Sequence, residues 1–196
     1  MFARTERLLL RPSWPEDANE LHRAIADEGI VRNLARAPWP YTVEDAVEFA
    51  TQEHDARHPA FLLMLRTNGA PRLIGACGIG RQGDAAELGY WIARPYWGLG
   101  FATEASRAVM NIARAIGHEK LIASHFTDNL ASSKVLRKLG FQHTGKTEQR
   151  HSKGRGEDMA CALYEKPLDA ANAEPADVRH TPAFTIREQM ERLQAA

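Results

Sequence analysis

The sequence predicts a mixed α/β domain of α+β character, with seven strands in a mostly antiparallel sheet flanked by helices. Three apolar runs, 60–67, 72–81 and 86–92, follow one another with only short polar turns between them, so they pair antiparallel. A further apolar run at 120–126 is separated from the third by a helical pattern over 102–116. A strand, a crossover helix and a strand give a parallel pair with right-handed crossover. The length of 196 residues, with 44% apolar and 26% charged residues, suffices for one domain with a sizeable core.

The first strand is expected at 6–11, Glu-Arg-Leu-Leu-Leu-Arg, ended by Pro12 and Pro15. Pro15 starts a helix, with Glu16 and Asp17 in its first turn and Ala18, Leu21 and Ile25 as its apolar stripe. A short helical piece follows near 28–34, then a loop through Ala37-Pro38-Trp39-Pro40. Thr42 caps a helix over 43–57, and Asp45 completes a T-x-x-D box. Glycines within 72–81 mark a close approach by another backbone. The helix over 102–116 carries Ala105, Val109, Ile112, Ala113 and Ile116 on one face, against Glu104, Arg107, Asn111 and Arg114. Asn129 opens a helix to Leu139, and two last strands, 141–151 and 157–166, flank a polar loop from Ser152 to Gly156. Residues 1–168 form the domain; 169–196 read as a linker followed by a short amphipathic helix with Ile186, Met190 and Leu193 in one stripe.

Composition excludes several classes. Lys plus Arg and Asp plus Glu each number 25, so no global basic field gathers nucleic acid. The N-terminus has no signal-peptide character, and no run approaches the roughly 18 apolar residues of a membrane span. Cys77 and Cys161 give neither a disulfide framework nor a CxxC pair, and read as reduced core residues of a cytoplasmic protein.

The segment richest in chemistry is Arg94-Pro-Tyr-Trp-Gly-Leu-Gly-Phe-Ala-Thr-Glu104, between a strand and a helix. Glycines there let a ligand approach the backbone. Successive N–H groups at a helix N-terminus suit a phosphate or pyrophosphate. A P-loop is excluded because no Lys follows Gly100. A dinucleotide fingerprint is excluded because Thr103 stands where the third glycine belongs, after a strand of an antiparallel run.

Trp97-Gly98-Leu99-Gly100-Phe101-Ala102 resembles the pyrophosphate loop of the GNAT N-acetyltransferase superfamily, written [QR]-x-x-G-x-[GA]. Asn129-Leu-Ala-Ser132 and Lys138-Leu-Gly-Phe141 resemble its N-x-x-S and K-x-G-F signatures. Thr5-Glu-Arg-Leu-Leu-Leu-Arg-Pro12 and Gly89-Tyr-Trp-Ile92 look like the RimJ/RimL branch, which acetylates ribosomal-protein N-termini. The resemblance covers about 5–167. Trp97 departs from the general Gln or Arg, leaving phosphate recognition mainly to backbone amides.

The resemblance implies that the fourth and fifth strands splay apart and that acetyl-CoA lies in the gap, its pantetheine arm pairing with backbone near Trp91, Ile92 and Ala93. The diphosphate would sit on amides of Gly98, Leu99, Gly100, Phe101, Ala102 and Thr103 beside Trp97. The thioester would point toward Glu87, Asn129 and Ser132. Glu87 is then the candidate base and Ser132 the donor to the departing thiolate, since no Tyr falls in 126–141; Asn129 is a positioning residue. The reaction is direct attack by a primary amine, without an acyl-enzyme and without a metal. An α-amine, with a pKa of roughly 7.7–8.0, is an easier nucleophile than lysine at roughly 10.4.

Plainer roles stand beside these. Asn129 is also a natural N-cap, and Glu87 and Ser132 could face solvent. His54 and His58 share helical i, i+4 spacing, as metal ligands do, but a solvated face explains them as well. Trp14, Trp39, Tyr41 and Trp91 line an acceptor pocket or serve as core aromatics. Acceptor specificity is expected in the 28–42 segment and the 151–157 loop. The leading acceptor is a protein or peptide N-terminus. The alternatives are a small amine (an amino acid, polyamine or antibiotic), whose polycationic forms would need an acidic cleft such as Glu44, Asp45, Glu48, Glu53 and Asp55 offer, and a non-catalytic CoA-binding sensor. The terminal helix suits a homodimer or surface clasp.

Overall fold

A computed structural model describes residues 1–168. The expected linker and short helix over 169–196 lie outside the described residues. Eight strands form one sheet: β1 (Ala3–Arg4), β2 (Leu8–Arg11), β3 (Ala60–Leu65), β4 (Arg72–Gln82), β5 (Ala85–Ile92), β6 (Lys120–Phe126), β7 (Gln142–Ser152) and β8 (Glu157–Pro167). Their spatial order is β1-β2-β3-β4-β5-β6-β8-β7. The eighth strand is β1, which pairs with β2 through Ala3↔Leu10 and Arg4↔Leu9. Two residues are too short to carry an alternating pattern, so periodicity could not reveal it.

Among the described residues five helices cover the sheet: α1 (Ala18–Ile25), α2 (Glu28–Val31), α3 (Val43–Thr51), α4 (Phe101–Ala115) and α5 (Leu130–Lys138). On one face α4 and α5 bury Ala105, Val109, Met110, Ala113 and Leu136 against Leu63, Ile74, Ile79, Leu88 and Leu121. On the other, α1–α3 bury Leu21, Ile25, Val31 and Ala46 against Leu62, Met64 and Trp91. Each fully buried large side chain contributes about 1.5–3 kcal/mol, so neither helical layer separates easily from the sheet. The close approach expected in β4 is real. A Cβ on Gly78 would stand 2.8 Å from the Ala60 Cα and the Pro59 carbonyl oxygen.

The capping box of α3 forms as expected: the Asp45 N–H donates to Thr42 Oγ1 at 3.2 Å, and the Thr42 N–H to Asp45 Oδ2 at 2.8 Å. The helix stops at Thr51, short of the expected residue 57, with Gln52 extended at φ −62°, ψ 126°. The apolar stripe runs out after Ala50. Downstream, the Asp55 carboxylate accepts from the Arg57 and His58 amides at 2.7 and 2.9 Å, a local turn that competes with helix. His54 and His58 therefore do not share a helical face.

The pairs β2–β3, β3–β4 and β4–β5 are antiparallel, β6 pairs antiparallel with β8, and β5 meets β6 in parallel. The parallel contact consists of one register pair, Glu87↔Ile122. Beyond it β5 and β6 part, and the sheet opens toward the C-terminal end of β5, where α4 begins.

Candidate active site

After Ile92 the chain makes a 3-10 turn over Arg94–Tyr96 and then runs through two left-handed glycines, Gly98 at φ +76° and Gly100 at φ +83°. Gly100 is the N-cap of α4, and its carbonyl accepts the first helical bond from the Glu104 N–H at 3.0 Å. The N–H groups of Gly98, Gly100, Phe101, Ala102 and Thr103 find no backbone or side-chain acceptor among the described residues. Unpaired amides at a helix N-terminus, with the positive end of the helix dipole behind them, fit a diphosphate. Trp97 anchors the loop: its indole N–H donates to the Ile92 carbonyl at 2.6 Å. Arg94 does not enter the cradle. It pairs with Asp27, whose carboxyl it holds below the ordinary carboxylate value, and it stacks over the Trp97 ring at 4.9 Å.

The gap between β5 and β6 lies beside this loop. Backbone groups along a strand alternate between its two neighbours. The Ala93 N–H donates to the Ile74 carbonyl at 2.8 Å, so Ala93 and Trp91 turn their polar groups toward β4. Only Ile92 and Tyr90 face the gap, and the Ile92 carbonyl already takes the Trp97 indole. Of the three residues expected to pair with a pantetheine arm, Ile92 alone presents its N–H there. Tyr90 joins it, while Trp91 buries its ring beneath α1–α3.

Asn129 caps α5, its Oδ1 accepting the Ser132 N–H at 3.1 Å. The cap fixes the first turn so that Ser132 Oγ meets the Tyr90 hydroxyl at 2.8 Å, across the open part of the sheet. Burial pushes the Tyr90 phenol well above its ordinary value despite the bond to Ser132, so it remains protonated. Sequence reasoning does not single out Tyr90 for the site, because the 126–141 segment around Ser132 holds no tyrosine. The signal was present in the Gly89-Tyr-Trp-Ile92 run, whose side chains alternate across β5. Ser133, next in the helix, turns inward to the Tyr164 hydroxyl at 3.1 Å, which also meets His125 Nε2 at 3.3 Å.

Glu87 is not solvated. Its Oε1 accepts from the Ser124 hydroxyl at 2.7 Å and from Arg150 Nη1 at 2.8 Å, and Arg150 Nη2 reaches Glu148 at 3.0 Å. Glu87 sits at the single β5–β6 bridge, where the gap begins. Arg150, from the edge strand β7, is the second residue that sequence reasoning did not find. The two segments named for acceptor specificity come together: the Lys153 N–H donates to the Ala35 carbonyl at 3.0 Å, and Arg155 Nε to the Arg32 carbonyl at 2.7 Å. The acidic residues of α3 and the turn after it lie on an exposed face rather than lining a cleft among the described residues. Asp45 is used in the cap and Asp55 in the following turn, and Glu44, Glu48 and Glu53 are exposed.

Cys77 and Cys161 are both buried, and burial raises both thiols, Cys77 to about 12. Neither is poised as a nucleophile. Tyr41 and Trp91 are core aromatics, whereas Trp14 and Trp39 are exposed. Among the described residues no group of His, Cys, Asp or Glu is arranged to hold a metal, and no helix is long and apolar enough to cross a membrane.

Residues 7–142 match the family model of the acetyltransferase (GNAT) domain. The chain belongs to the GNAT acetyltransferase family. It is an acetyl-CoA-dependent N-acetyltransferase. A Bacillus subtilis protein, the uncharacterized N-acetyltransferase YoaA, is 29% identical over 153 residues, covering 74% of this chain and 85% of its own length. A GNAT-family acetyltransferase from Bacillus anthracis shares the fold of this acetyltransferase with a TM-score of 0.73 at 23% identity, covering 86% of this chain and 99% of that one. RimL, a ribosomal L7/L12 α-N-protein acetyltransferase in complex with coenzyme A, gives a TM-score of 0.70 at 18% identity over 87% and 99% of the two chains.

Proposed function

We propose that this acetyltransferase modifies the α-amine at the N-terminus of a protein or peptide, as the RimJ/RimL branch does. The observation that carries the choice of amine is the Glu87–Arg150 ion pair. Arg150 and Ser124 occupy Glu87 Oε1 and leave Oε2 to position a water, an arrangement that suits an acceptor already losing its proton near neutrality better than a lysine-like amine of pKa roughly 10.4. An α-amine is already substantially unprotonated near neutral pH. The Thr5–Pro12 and Gly89–Ile92 runs and the fold shared with RimL support the same reading.

In this reading the diphosphate of acetyl-CoA lies on the free amides from Gly98 to Thr103, and the thioester enters the gap between β5 and β6. The amine approaches from the face bearing Glu87, beneath the 28–42 segment and the 151–157 loop. Its nitrogen attacks the thioester carbon directly. A C–N bond forms, the C–S bond breaks, and the amine's proton leaves to water held by Glu87 Oε2. Ser132, backed by the protonated Tyr90, donates a hydrogen bond to the departing thiolate. An unpaired backbone N–H of β5 facing the gap stabilises the oxyanion. The buried, high-pKa cysteines support a route without an acyl-enzyme.

A thiol-release assay tests the proposal. Peptides with a free N-terminus, the same peptides N-acetylated but containing lysine, amino acids and polyamines are each offered with acetyl-CoA. Turnover confined to free peptide N-termini is expected. Preferential turnover of polyamines, of free amino acids or of the blocked lysine peptides would overturn the acceptor assignment.

A further inference from the structure

We propose that Arg7 is a positioning residue for the diphosphate cradle, a role that rests on the cradle reading above. Arg7 lies in the turn between β1 and β2, 92 residues before Leu99, yet its side chain ends on the loop and the first turn of α4. Nε and Nη2 donate to Glu104 Oε2 at 2.7 and 2.6 Å. The other carboxylate oxygen, Oε1, accepts from the Thr5 hydroxyl at 2.6 Å and the Arg7 N–H at 2.9 Å. Nη1 donates to the Leu99 carbonyl at 3.0 Å, and the guanidinium lies over the Phe101 ring at 4.1 Å. One side chain therefore grips residues 99, 101 and 104, on both sides of Gly100.

Two consequences follow for an anion in the cradle. A carboxylate in the first turn suits the helix dipole but repels a diphosphate bound at the same helix end. Arg7 and Thr5 occupy both oxygens of Glu104, and the guanidinium cancels its charge. The second consequence is geometric. In a trans peptide the C=O and N–H point in opposite directions. Holding the Leu99 carbonyl toward Arg7 turns the Gly100 N–H the other way, as a donor free for the ligand. Gly98 and Gly100 supply no side chains to fix that peptide plane, so the lock must come from outside the loop. An ion pair that merely steadied the helix would need Glu104 but not the bond to Leu99.

The test compares acetyl-CoA with S-acetyl-pantetheine, which carries the same thioester and arm but no diphosphate. Dissociation constants, KM and kcat are measured for the wild type, Arg7→Met and the pair Arg7→Met/Glu104→Gln. Arg7→Met is expected to raise KM and Kd for acetyl-CoA about tenfold, the scale of a lost charged hydrogen bond. Saturated kcat and all parameters for S-acetyl-pantetheine stay near wild type. The double variant regains part of the affinity, because the repelling carboxylate is gone. Arg7→Lys keeps the charge without the fork that spans Leu99 and Glu104; it is expected to weaken acetyl-CoA alone, and it carries the test if Arg7→Met does not fold. Equal weakening of both donors, or unchanged acetyl-CoA affinity, overturns the role of Arg7. A wild type that binds acetyl-CoA no better than S-acetyl-pantetheine overturns the cradle itself, a separate result.

Discussion

Arg150 binds the same oxygen of Glu87 that Ser124 reaches, Oε1, at 2.8 Å, and leaves Oε2 without a hydrogen-bond partner among the described residues. The carboxylate is held in place, with one oxygen free for a water or an amine. Glu87→Gln keeps the shape and the acceptor, and is expected to lower kcat/KM by less than about tenfold. Loss of a true general base would cost 10²–10⁴-fold. A loss in that larger range would restore Glu87 to the role of base.

The same relationship predicts the pH profile. With the acceptor α-amine as the titrating group, kcat/KM should rise as it loses its proton and level off above roughly pH 8. Glu87→Gln should leave that inflection in place. A profile still climbing toward roughly pH 10 would indicate a lysine-type acceptor instead.

The bond between Tyr90 and Ser132 predicts a shared effect on the leaving group. Tyr90→Phe and Ser132→Ala should each reduce kcat about 10- to 100-fold, in line with loss of a positioned donor, with little change in KM for acetyl-CoA. The double variant should be scarcely worse than either single one, since the two act as one unit. Because burial raises the Tyr90 phenol, the wild type should show no alkaline loss of kcat at the ordinary tyrosine value near 10. Multiplicative losses would mean that the two hydroxyls act separately.

Much of the scaffold was legible because its signals are local. The stripe of α4, the Thr42–Asp45 box and the glycines at 98 and 100 each lie within one turn or one helix. What escaped is set by contacts distant in sequence. Arg150 reaches Glu87 across 63 residues and Tyr90 reaches Ser132 across 42. No spacing rule links a β7 arginine to a β5 carboxylate, and only the sheet order places them together. The overlong α3 failed for another reason: Asp55 offers the backbone a turn that propensity and periodicity do not register.

Gly98 and Gly100 both sit in the left-handed region, where a residue with a Cβ costs about 1–2 kcal/mol. A Cβ on Gly98 meets nothing within 4 Å, and one on Gly100 only an Arg7 nitrogen at 3.6 Å. The penalty for alanine is therefore conformational, and the loop can relieve it by turning its amides away. Both alanine variants should weaken acetyl-CoA by about tenfold in calorimetry, from that energy. Gly83→Ala is the control, with φ +57° and open space around it, but in the β4–β5 turn. It should lower thermal stability without changing acetyl-CoA affinity.

Away from the site, Arg11 and Asp17 form a buried ion pair that joins the end of β2 to the start of the first helical segment. Asp17 accepts from Arg11 Nη1 and Nη2 at 2.7 and 2.6 Å and from the Trp14 N–H at 2.8 Å. Burial by itself would raise the Asp17 pKa, but the Arg11 and Trp14 bonds outweigh it and the net direction is down. A carboxyl whose folded pKa lies below its unfolded value of roughly 3.9 adds stability that is fully present above that value. That stability is lost as pH falls through the folded pKa. Asp17→Asn should cost about 3–5 kcal/mol at pH 7, because Arg11 is left buried without its counter-charge. The cost should shrink below roughly pH 4, where the wild type also loses the charge. Urea unfolding of both proteins from pH 3 to 8 measures the difference, and a gap that stayed constant across that range would show that packing, not charge, holds this corner together.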